Sequence, residues 1–397
     1  MRKIDLTNFQ LATSGTARQI NRRIALSFIR RHAPMSRADL ARSSGLQPST
    51  VSAIIEELIE EGWVTEGAGQ ASRGRRPRLL HLNAERAGIL AVDLRPETTT
   101  LGLAGVDARF IGQASWPTPE DSQAFVHQVA NTVRHFMTAH PQILCEGMGV
   151  SLPGRVDRDG RLIFAPNLRW GPVNLRTLLE EAIELPVAVE NAANACALAE
   201  LWFGSHPEGL RNLIAVTISE GIGAGLLMNR QLVFGADARA GEFGHVTIDD
   251  NGPRCLCGKR GCWERYASNS AAVRTYLEST HTNGSNGRAS ALTFETLLNI
   301  ARDGDRHAIA ALESMAKYIG MGLAGLVSGL APEVIVIVGE VTRAWDRVGP
   351  IIHDVVKQRA VPGHGTRIVP TDPAVQPRLR GAATLVVQQH FGAPAVG

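Results

Sequence analysis

No run of about 18 consecutive apolar residues, the length a membrane-spanning helix needs, occurs anywhere in the 397-residue sequence. The first residues also lack a secretory leader, because Arg2, Lys3 and Asp5 break up the stretch from Met1 to Thr13 and leave no apolar segment. A cytoplasmic protein that engages no membrane is expected. Cysteine is scarce, five residues in all, and unevenly spread: Cys145 and Cys196 stand alone while Cys255, Cys257 and Cys262 crowd together. That spacing excludes a disulfide framework and suits metal ligation in a reducing compartment. Charge excess is missing too, since the net charge is only +3. The chain is 44% hydrophobic and 20% charged, an ordinary globular composition with length for two or three domains with cores of their own.

The small net charge conceals an asymmetry. Residues 1–82 hold 13 Lys and Arg against 7 Asp and Glu, leaving 28 against 31 for the remainder. The basic end is the candidate nucleic-acid end. Within it, Ile20, Ile24, Phe28 and Ile29 fall on one helical face between Thr16 and His32, before a break at Pro34. Ser36 then caps a short helix over residues 37–41, with Asp39 in a capping-box position, and Gly45 supplies the turn. A third helix spans roughly Pro48 to Glu61 and buries Val51, Ile54, Ile55 and Leu58. This is helix-turn-helix spacing. Gln47, Pro48, Ser49, Thr50 and Ser52 belong to the exposed beginning of the third helix, which would read base edges in a major groove. Its far end is acidic, with Glu56, Glu57, Glu60 and Glu61, and would repel phosphates. Residues 63–65 and 78–82 read as the strands of a wing whose linking segment carries Arg73, Arg75 and Arg76. An Arg-Gly-Arg unit is slim enough to enter a narrow A·T-rich minor groove. The same helices also fit a small packing or dimerisation bundle; charge and wing together favour double-stranded DNA.

Gly-Glu-Phe-Gly-His at 241–245 is followed, after nine residues, by Cys255, Cys257 and Cys262 and then by Trp263 and Glu264. His245, Cys255, Cys257 and Cys262 make a tetrahedral zinc set, and three thiolates with one imidazole hold the metal as a closed structural cross-link rather than as a catalyst. Reduced buried thiols are the plainer alternative. Glu242 and Glu264 flank the set, and carboxylates fixed beside an imidazole can accept hydrogen bonds from sugar hydroxyls.

Taken together, the winged helix, Gly149-Val-Ser-Leu-Pro-Gly154, Glu190-Asn-Ala-Ala-Asn194, Gly221-Ile-Gly-Ala-Gly225 and the His/Cys cluster resemble the ROK family of repressors, open reading frames and sugar kinases. The resemblance covers nearly the whole chain. It is narrower to the repressor branch responding to xylose, N-acetylglucosamine or glucose status, which places a winged helix ahead of the kinase-like body. It implies an α/β class of fold: an N-terminal winged helix-turn-helix followed by a two-lobed actin-like or hexokinase-like domain. The expected division is 1–82 for the DNA-binding module, 83–191 plus 380–397 for the first lobe, and 192–379 for the second lobe with its zinc loop. Pattern alone supports strands at 89–92, 101–106 and 147–151, then at 213–219, 225–228 and 334–338. The sugar contacts that the resemblance implies are Asn167, Asn191, Glu242, His245 and Glu264, with His245 touching both zinc and sugar.

Four departures from the kinases of that family argue against catalysis. Their first strand turn reads Asp-x-Gly-Gly-Thr and wraps the nucleotide phosphates with backbone N–H groups, whereas here it reads Asp93-Leu-Arg-Pro-Glu97. Ala192 stands where the family's catalytic Asp is expected, and removing such a base costs about 10²–10⁴-fold in rate. Gly-Thr-Gly has become Ser219-Glu220-Gly221, and the adenosine-segment Gly-Gly is Gly339-Glu340. No ATP is expected. The glycines after Glu220 read as a tight turn beside a strand. The resulting expectation is a homodimer, with a tetramer left open, bound to an operator and controlled by a sugar or sugar phosphate. Alanine at 192 offers a sugar no hydrogen bond and leaves space there, which suits a pentose or a hexose 6-phosphate. Two rivals remain: a working sugar kinase with a DNA-binding module, and a DNA-binding zinc scaffold without a ligand.

Overall fold

The computed structural model describes residues 14–68, 78–83, 87–168, 170–207, 209–281, 292–363 and 365–391. The amino-terminal unit packs three helices, α1 (Ser14–His32), α2 (Arg37–Ser44) and α3 (Pro48–Glu60), against a small sheet. That sheet comprises β1 (Met35–Ser36), β2 (Val64–Ala68) and β3 (Arg78–Leu82) in the order β1-β3-β2. Ser36 caps α2 with a full capping box, its side chain accepting from the Asp39 N–H while Asp39 accepts from the Ser36 N–H. Gly45, at φ +73, makes the left-handed turn between α2 and α3. On α3, Val51, Ile54, Ile55 and Leu58 are buried, as their spacing predicts. The two-residue strand β1, too short to carry a period, is the one element of the unit that the pattern does not announce.

The body contains two five-stranded sheets. In the first, β4 (Ala87–Leu94), β5 (Thr98–Gly105) and β6 (Phe110–Pro117) form an antiparallel meander, and β7 (Leu144–Leu152) and β10 (Val187–Asn191) add in parallel on the β4 side. A small hairpin, β8 (Arg155–Val156) and β9 (Leu162–Phe164), follows β7. Helices α4 (Ser122–Ala139) and α5 (Leu175–Ile183) bury Phe125, Val129 and Leu179 in the core beneath this sheet. Helix α6 (Ala192–Phe203) leads to the second sheet. There, β11 (Leu213–Ile218), β12 (Ile222–Met228) and β13 (Gln231–Leu232) form the meander, and β14 (Val334–Val338) and β15 (Arg367–Pro370) add in parallel beside β11. Both sheets therefore have one topology, a three-strand meander extended by two parallel strands from its first strand.

Helices α7 (Glu264–Ala267), α8 (Asn269–His281), α9 (Phe294–Arg302), α10 (Arg306–Leu330) and α11 (Trp345–Arg359) build the largest core, against one face of the second sheet. The last helix, α12 (Pro377–Phe391), returns to the first sheet, starting three residues ahead of the expected boundary at 380. It packs on β4 and β7 and along α6, which in turn packs on β11 and β12. Two glycines permit this close packing. A Cβ on Gly149 of β7 would lie 1.8 Å from the Ala382 carbonyl oxygen, and one on Gly225 of β12 would lie 2.1 Å from that of Ala193. The glycines after Glu220 thus serve strand-to-helix approach as well as the turn that their spacing suggests. No described helix is long and apolar enough to cross a membrane.

Candidate functional site

In open α/β sheets ligands gather at the carboxyl ends of the strands, where strand order reverses. Here residues 153–156 after β7 and residues 190–194 after β10 face residues 219–224, Glu242 and His245 across a cavity of about 130 Å³. Asn167, Asn191, Glu242, His245 and Glu264 all line it, so residues that the family resemblance singles out, spread over almost a hundred positions, lie around one cavity. Gly221 lets two of them meet: a Cβ there would lie 2.8 Å from the Glu264 Oε2 and 3.9 Å from the Asn167 Nδ2.

Asn191 has a structural task that its motif does not reveal. It is the N-cap of α6, its Oδ1 accepting from the Ala193 N–H at 2.8 Å, and its Nδ2 donates to the Gly154 carbonyl oxygen at 2.7 Å. Next to it, Glu190 accepts from the Asn191 N–H at 2.7 Å and from the Asn194 Nδ2 at 3.0 Å. Burial pushes the Glu190 carboxyl above its ordinary value, and the two hydrogen bonds offset only part of that. Ala192 is buried in the first turn of the helix, and no carboxylate stands at that position.

His245, Cys255, Cys257 and Cys262 form a cluster whose ligand atoms all lie within 4.8 Å of one another. The Cys257 and Cys262 Sγ atoms are 3.5 Å apart, and the Cys255 Sγ is 3.6 Å from the His245 Nδ1. A tetrahedral site with metal–sulfur distances near 2.3 Å and metal–nitrogen distances near 2.0 Å sets its ligands roughly 3.5–3.8 Å apart, so the donor set fits a metal of that geometry. The loop is formed by a tight turn, Gly258 at φ +92, with the Cys255 N–H donating to the Lys259 carbonyl at 2.8 Å. Burial opposes ionisation of Cys257, but the Lys259 backbone N–H and the Cys255 and Cys262 thiols hold it below the usual thiol range. Trp263, fully buried, anchors the loop by donating from Nε1 to the Tyr318 carbonyl at 2.7 Å. The imidazole bridges two environments: Nδ1 lies 3.4 Å from the Glu264 Oε1 beside the thiols, and Nε2 lies 3.7 Å from the Glu242 Oε2.

A second cavity, of about 520 Å³, lies between the turn after β4 and the short 3-10 turn Glu340–Ala344. Residues 95–97 and Gly339-Glu340, read as departures from a phosphate site, line it together. They also build something of their own. Arg95 donates from Nε to the Asp93 Oδ2 at 2.8 Å and from Nη1 to the Glu340 Oε1 at 2.7 Å. Asn269 donates to the Glu340 Oε2 at 3.0 Å, and Arg378 donates to the Asp93 Oδ1 at 2.9 Å and to the Leu94 carbonyl at 3.4 Å. Burial works against ionisation of Asp93 and Glu340, yet the neighbouring guanidinium groups hold both below the usual carboxylate range. Burial likewise works against the Arg95 cation, and the two carboxylates hold it charged. The result is a ladder of charges joining β4 of the first sheet to the Glu340 turn beside the second.

On the amino-terminal unit, Gln47, Pro48 and Ser49 are exposed and Thr50 and Ser52 half-buried at the start of α3. Arg73, Arg75 and Arg76 lie outside the described residues. The acidic end of α3 is engaged in ways that sequence reading misses: Glu57 pairs with Arg18, Glu61 with Arg22, and Glu56 with Arg37, which also reaches Glu66 at 2.9 Å. The unit is seated on the body. Trp63 packs against His390, tilted, and against Phe391, edge to face, at the end of α12, with ring centroids 4.8 and 5.5 Å away. Arg30 donates to the Trp202 carbonyl at 3.0 Å and lies 4.5 Å over the Trp202 ring, at the end of α6.

Fold and site together define a two-lobed α/β body with a Cys3His cluster beside its cleft and a winged helix-turn-helix module in front. The chain belongs to the ROK family: a profile described as "ROK family" matches residues 89–389, and one described as "Winged helix-turn-helix DNA-binding" matches residues 18–65. It is 30% identical over 387 residues to the xylose repressor of Bacillus subtilis (strain 168), covering 96% of this chain and 98% of that one. It is 29% identical over 370 residues to the DNA-binding transcriptional dual regulator NagC of Escherichia coli (strain K12), covering 90% of each. Among solved structures it is similar to a ROK family transcriptional regulator, a homolog of the E. coli MLC protein, with a TM-score of 0.81, 25% identity and coverage of 95% of this chain and 97% of that one. A ROK family glucokinase from Streptomyces griseus, in complex with glucose and AMPPNP, matches at a TM-score of 0.68 and 27% identity, over 75% of this chain and 98% of its own.

Proposed function

We propose that this protein is a sugar-responsive transcriptional repressor of carbohydrate genes, released from its operator by a sugar held in the cleft between the lobes. The observation that carries this reading is how the two ends of α6 are used. Its first turn lines the cleft through Asn191, Ala192 and Asn194, and its last residues, Trp202 and Phe203, lie under Arg30 of the DNA-binding module. Twelve residues at about 1.5 Å each span about 18 Å of rigid helix. Helix α12 runs beside it, with Arg378 at the clefts and Phe391 against Trp63. A sugar that alters closure between residues 83–191 plus 380–397 and residues 192–379 therefore acts on two struts that end beneath the DNA-reading helices. Gln47, Pro48, Ser49, Thr50 and Ser52, with Arg73, Arg75 and Arg76 of the wing, are the proposed DNA contacts. A homodimer would place two such modules on a two-fold operator.

The protein acts without phosphoryl transfer in this reading. Ala192 removes the base, and the Arg95–Glu340 ladder occupies the phosphate position with the chain's own charges. Zinc is the proposed occupant of the Cys3His cluster, held by His245, Cys255, Cys257 and Cys262; it would cross-link the loop and fix the His245 ring so that Nε2 faces Glu242 and the cleft. Asn167, Glu242, His245 and Glu264 are the proposed hydroxyl partners, and Asn191 combines that role with capping α6. Fluorescence anisotropy on the protein's own upstream DNA, titrated with pentoses, hexoses, N-acetylhexosamines and their 6-phosphates, tests the reading. One sugar is expected to lower operator affinity. DNA binding indifferent to every sugar would leave a scaffold instead, and sugar-dependent ADP formation from ATP would overturn the non-catalytic assignment.

A further inference from the structure

Each end of the Arg95–Glu340 pair is anchored in its own lobe. Arg95 sits in a tight turn, its N–H donating to the Thr98 carbonyl at 3.2 Å and its carbonyl accepting from the Thr118 hydroxyl at 2.6 Å. The Asp93 carboxylate, itself bound by Arg378 of α12, orients the guanidinium. Glu340 follows Gly339, which at φ +138 lies so close to the second sheet that a Cβ there would be 2.0 Å from the Ile218 carbonyl oxygen. Buried Asn269, the first residue of α8, holds the other carboxylate oxygen at 3.0 Å. Two anchored groups 2.7 Å apart tie the lobes at one separation. Neighbouring ion pairs stay on one side of the division: Arg378 with Asp93 where α12 packs on the first sheet, and Arg343 with Glu295 in the second lobe.

The pair lines the larger cavity and not the smaller one, yet the two cavities share Thr217, Ser219, Glu220 and Arg378 as walls. The proposed hydroxyl partners in the smaller cavity come from both lobes, Asn167 and Asn191 from the first and Glu242, His245 and Glu264 from the second. A sugar touches all of them together only while the lobes are close. A ligand that requires one arrangement of a protein binds in proportion to the population of that arrangement, so whatever holds the lobes close raises sugar affinity without contacting the sugar.

We propose that Arg95 and Glu340 are positioning residues for the effector, their ion pair acting as a latch that favours the closed, sugar-binding arrangement of the lobes over the open, operator-binding one. This rests on the cleft being the effector site. When sugar binds the closed state and operator the open state, cutting the latch weakens sugar binding by one factor and tightens operator binding by another. The two factors multiply to the factor by which the latch favours closure. The side chains are 39% and 26% exposed, and a charge-assisted hydrogen bond screened to that degree makes the product about five- to tenfold.

The test compares full-length wild type with Glu340→Gln, Arg95→Gln and the double variant. Arg343→Ala is the control, since it removes a cation from the same cavity but cuts a pair inside one lobe. Calorimetry reads binding of the pentoses, hexoses, N-acetylhexosamines and 6-phosphates of the panel above, and anisotropy reads binding of the protein's own upstream DNA without sugar. Amide hydrogen exchange over residues 154–156, 190–194 and 219–224 reads opening of the cleft itself. Each single variant is expected to exchange several-fold faster over those segments, to bind sugar no more tightly and DNA no more weakly than wild type, and to show the five- to tenfold product. The double variant should add little to either single one, Arg95→Lys should recover part of the loss, and Arg343→Ala should match wild type throughout. Exchange and affinities unchanged by Glu340→Gln overturn the latch, as does a loss of sugar and DNA affinity together, the mark of a merely structural contact. If Arg95→Gln fails to melt cooperatively, Glu340→Gln decides alone, because it leaves Asp93 both of its arginines. If no sugar of the panel binds wild type, the effector-site reading falls, and exchange with DNA affinity still judges the latch.

Discussion

Arg378 and Asp93 meet almost out of reach of water, with side chains 6% and 7% exposed. Stripping a buried carboxylate of its whole partner set costs about 3–5 kcal/mol, but Asp93 keeps Arg95 when Arg378 is lost. Arg378→Ala is therefore expected to lower the free energy of unfolding by less, about 1–3 kcal/mol, in a urea titration. The ladder also sets a pH dependence. Asp93 and Glu340 are held below their ordinary values, so the stability they contribute is present above about pH 4 and is lost as pH falls through their lowered values. Glu340→Gln should flatten the acid side of the melting-temperature profile and leave the neutral side nearly level. At the Cys3His loop, Cys257→Ser is expected to reduce bound zinc below one equivalent and lower the melting temperature, read by elemental analysis and calorimetry. A wild type that is fully stable and metal-free would end the zinc assignment.

Among the elements, those with a strong local period or a cap are legible in the sequence. The capping box at Ser36, the left-handed turn at Gly45 and the buried face of α3 carry their signals within a few residues. So does the Cys3His loop, whose spacing alone defines its donor set. The convergence of Asn167, Asn191, Glu242, His245 and Glu264 is legible only through resemblance, since no local pattern joins an asparagine after β9 to a glutamate after a cysteine. Arg95 with Glu340, 245 residues apart, and Arg30 with Trp202, 172 apart, leave no sequence signal at all. Long-range pairs of single side chains have no period to detect. The strut formed by α6 makes its own prediction. Arg30→Ala should preserve both sugar affinity and operator affinity to within a few-fold while reducing the factor by which one changes the other, measured by anisotropy with and without effector.

At the scale of the whole molecule that factor must be reciprocal, so a sugar that weakens operator binding tenfold must itself be bound tenfold more weakly by the operator complex. Equal factors in the two titrations are expected; unequal ones would break the two-state description of lobe closure. Helix α12 packs on the first sheet, α6 packs on the second, and the two pack on each other, so a change in lobe closure is expected to pass through this helix pair. The ion pairs on the amino-terminal unit bear on how this molecule meets DNA in solution. Arg18, Arg22, Arg37, Arg42 and Arg78 all carry acidic partners of their own, Glu57, Glu61, Glu56, Asp39 and Glu66. An arginine that brings its own counter-charge displaces few condensed cations from the duplex, and each phosphate neutralised steepens the fall of log affinity with log salt by about 0.9. Operator binding should consequently tolerate potassium better than the count of arginines suggests, leaving the wing and the first turn of α3 to govern recognition over the range of ionic strengths a cell traverses.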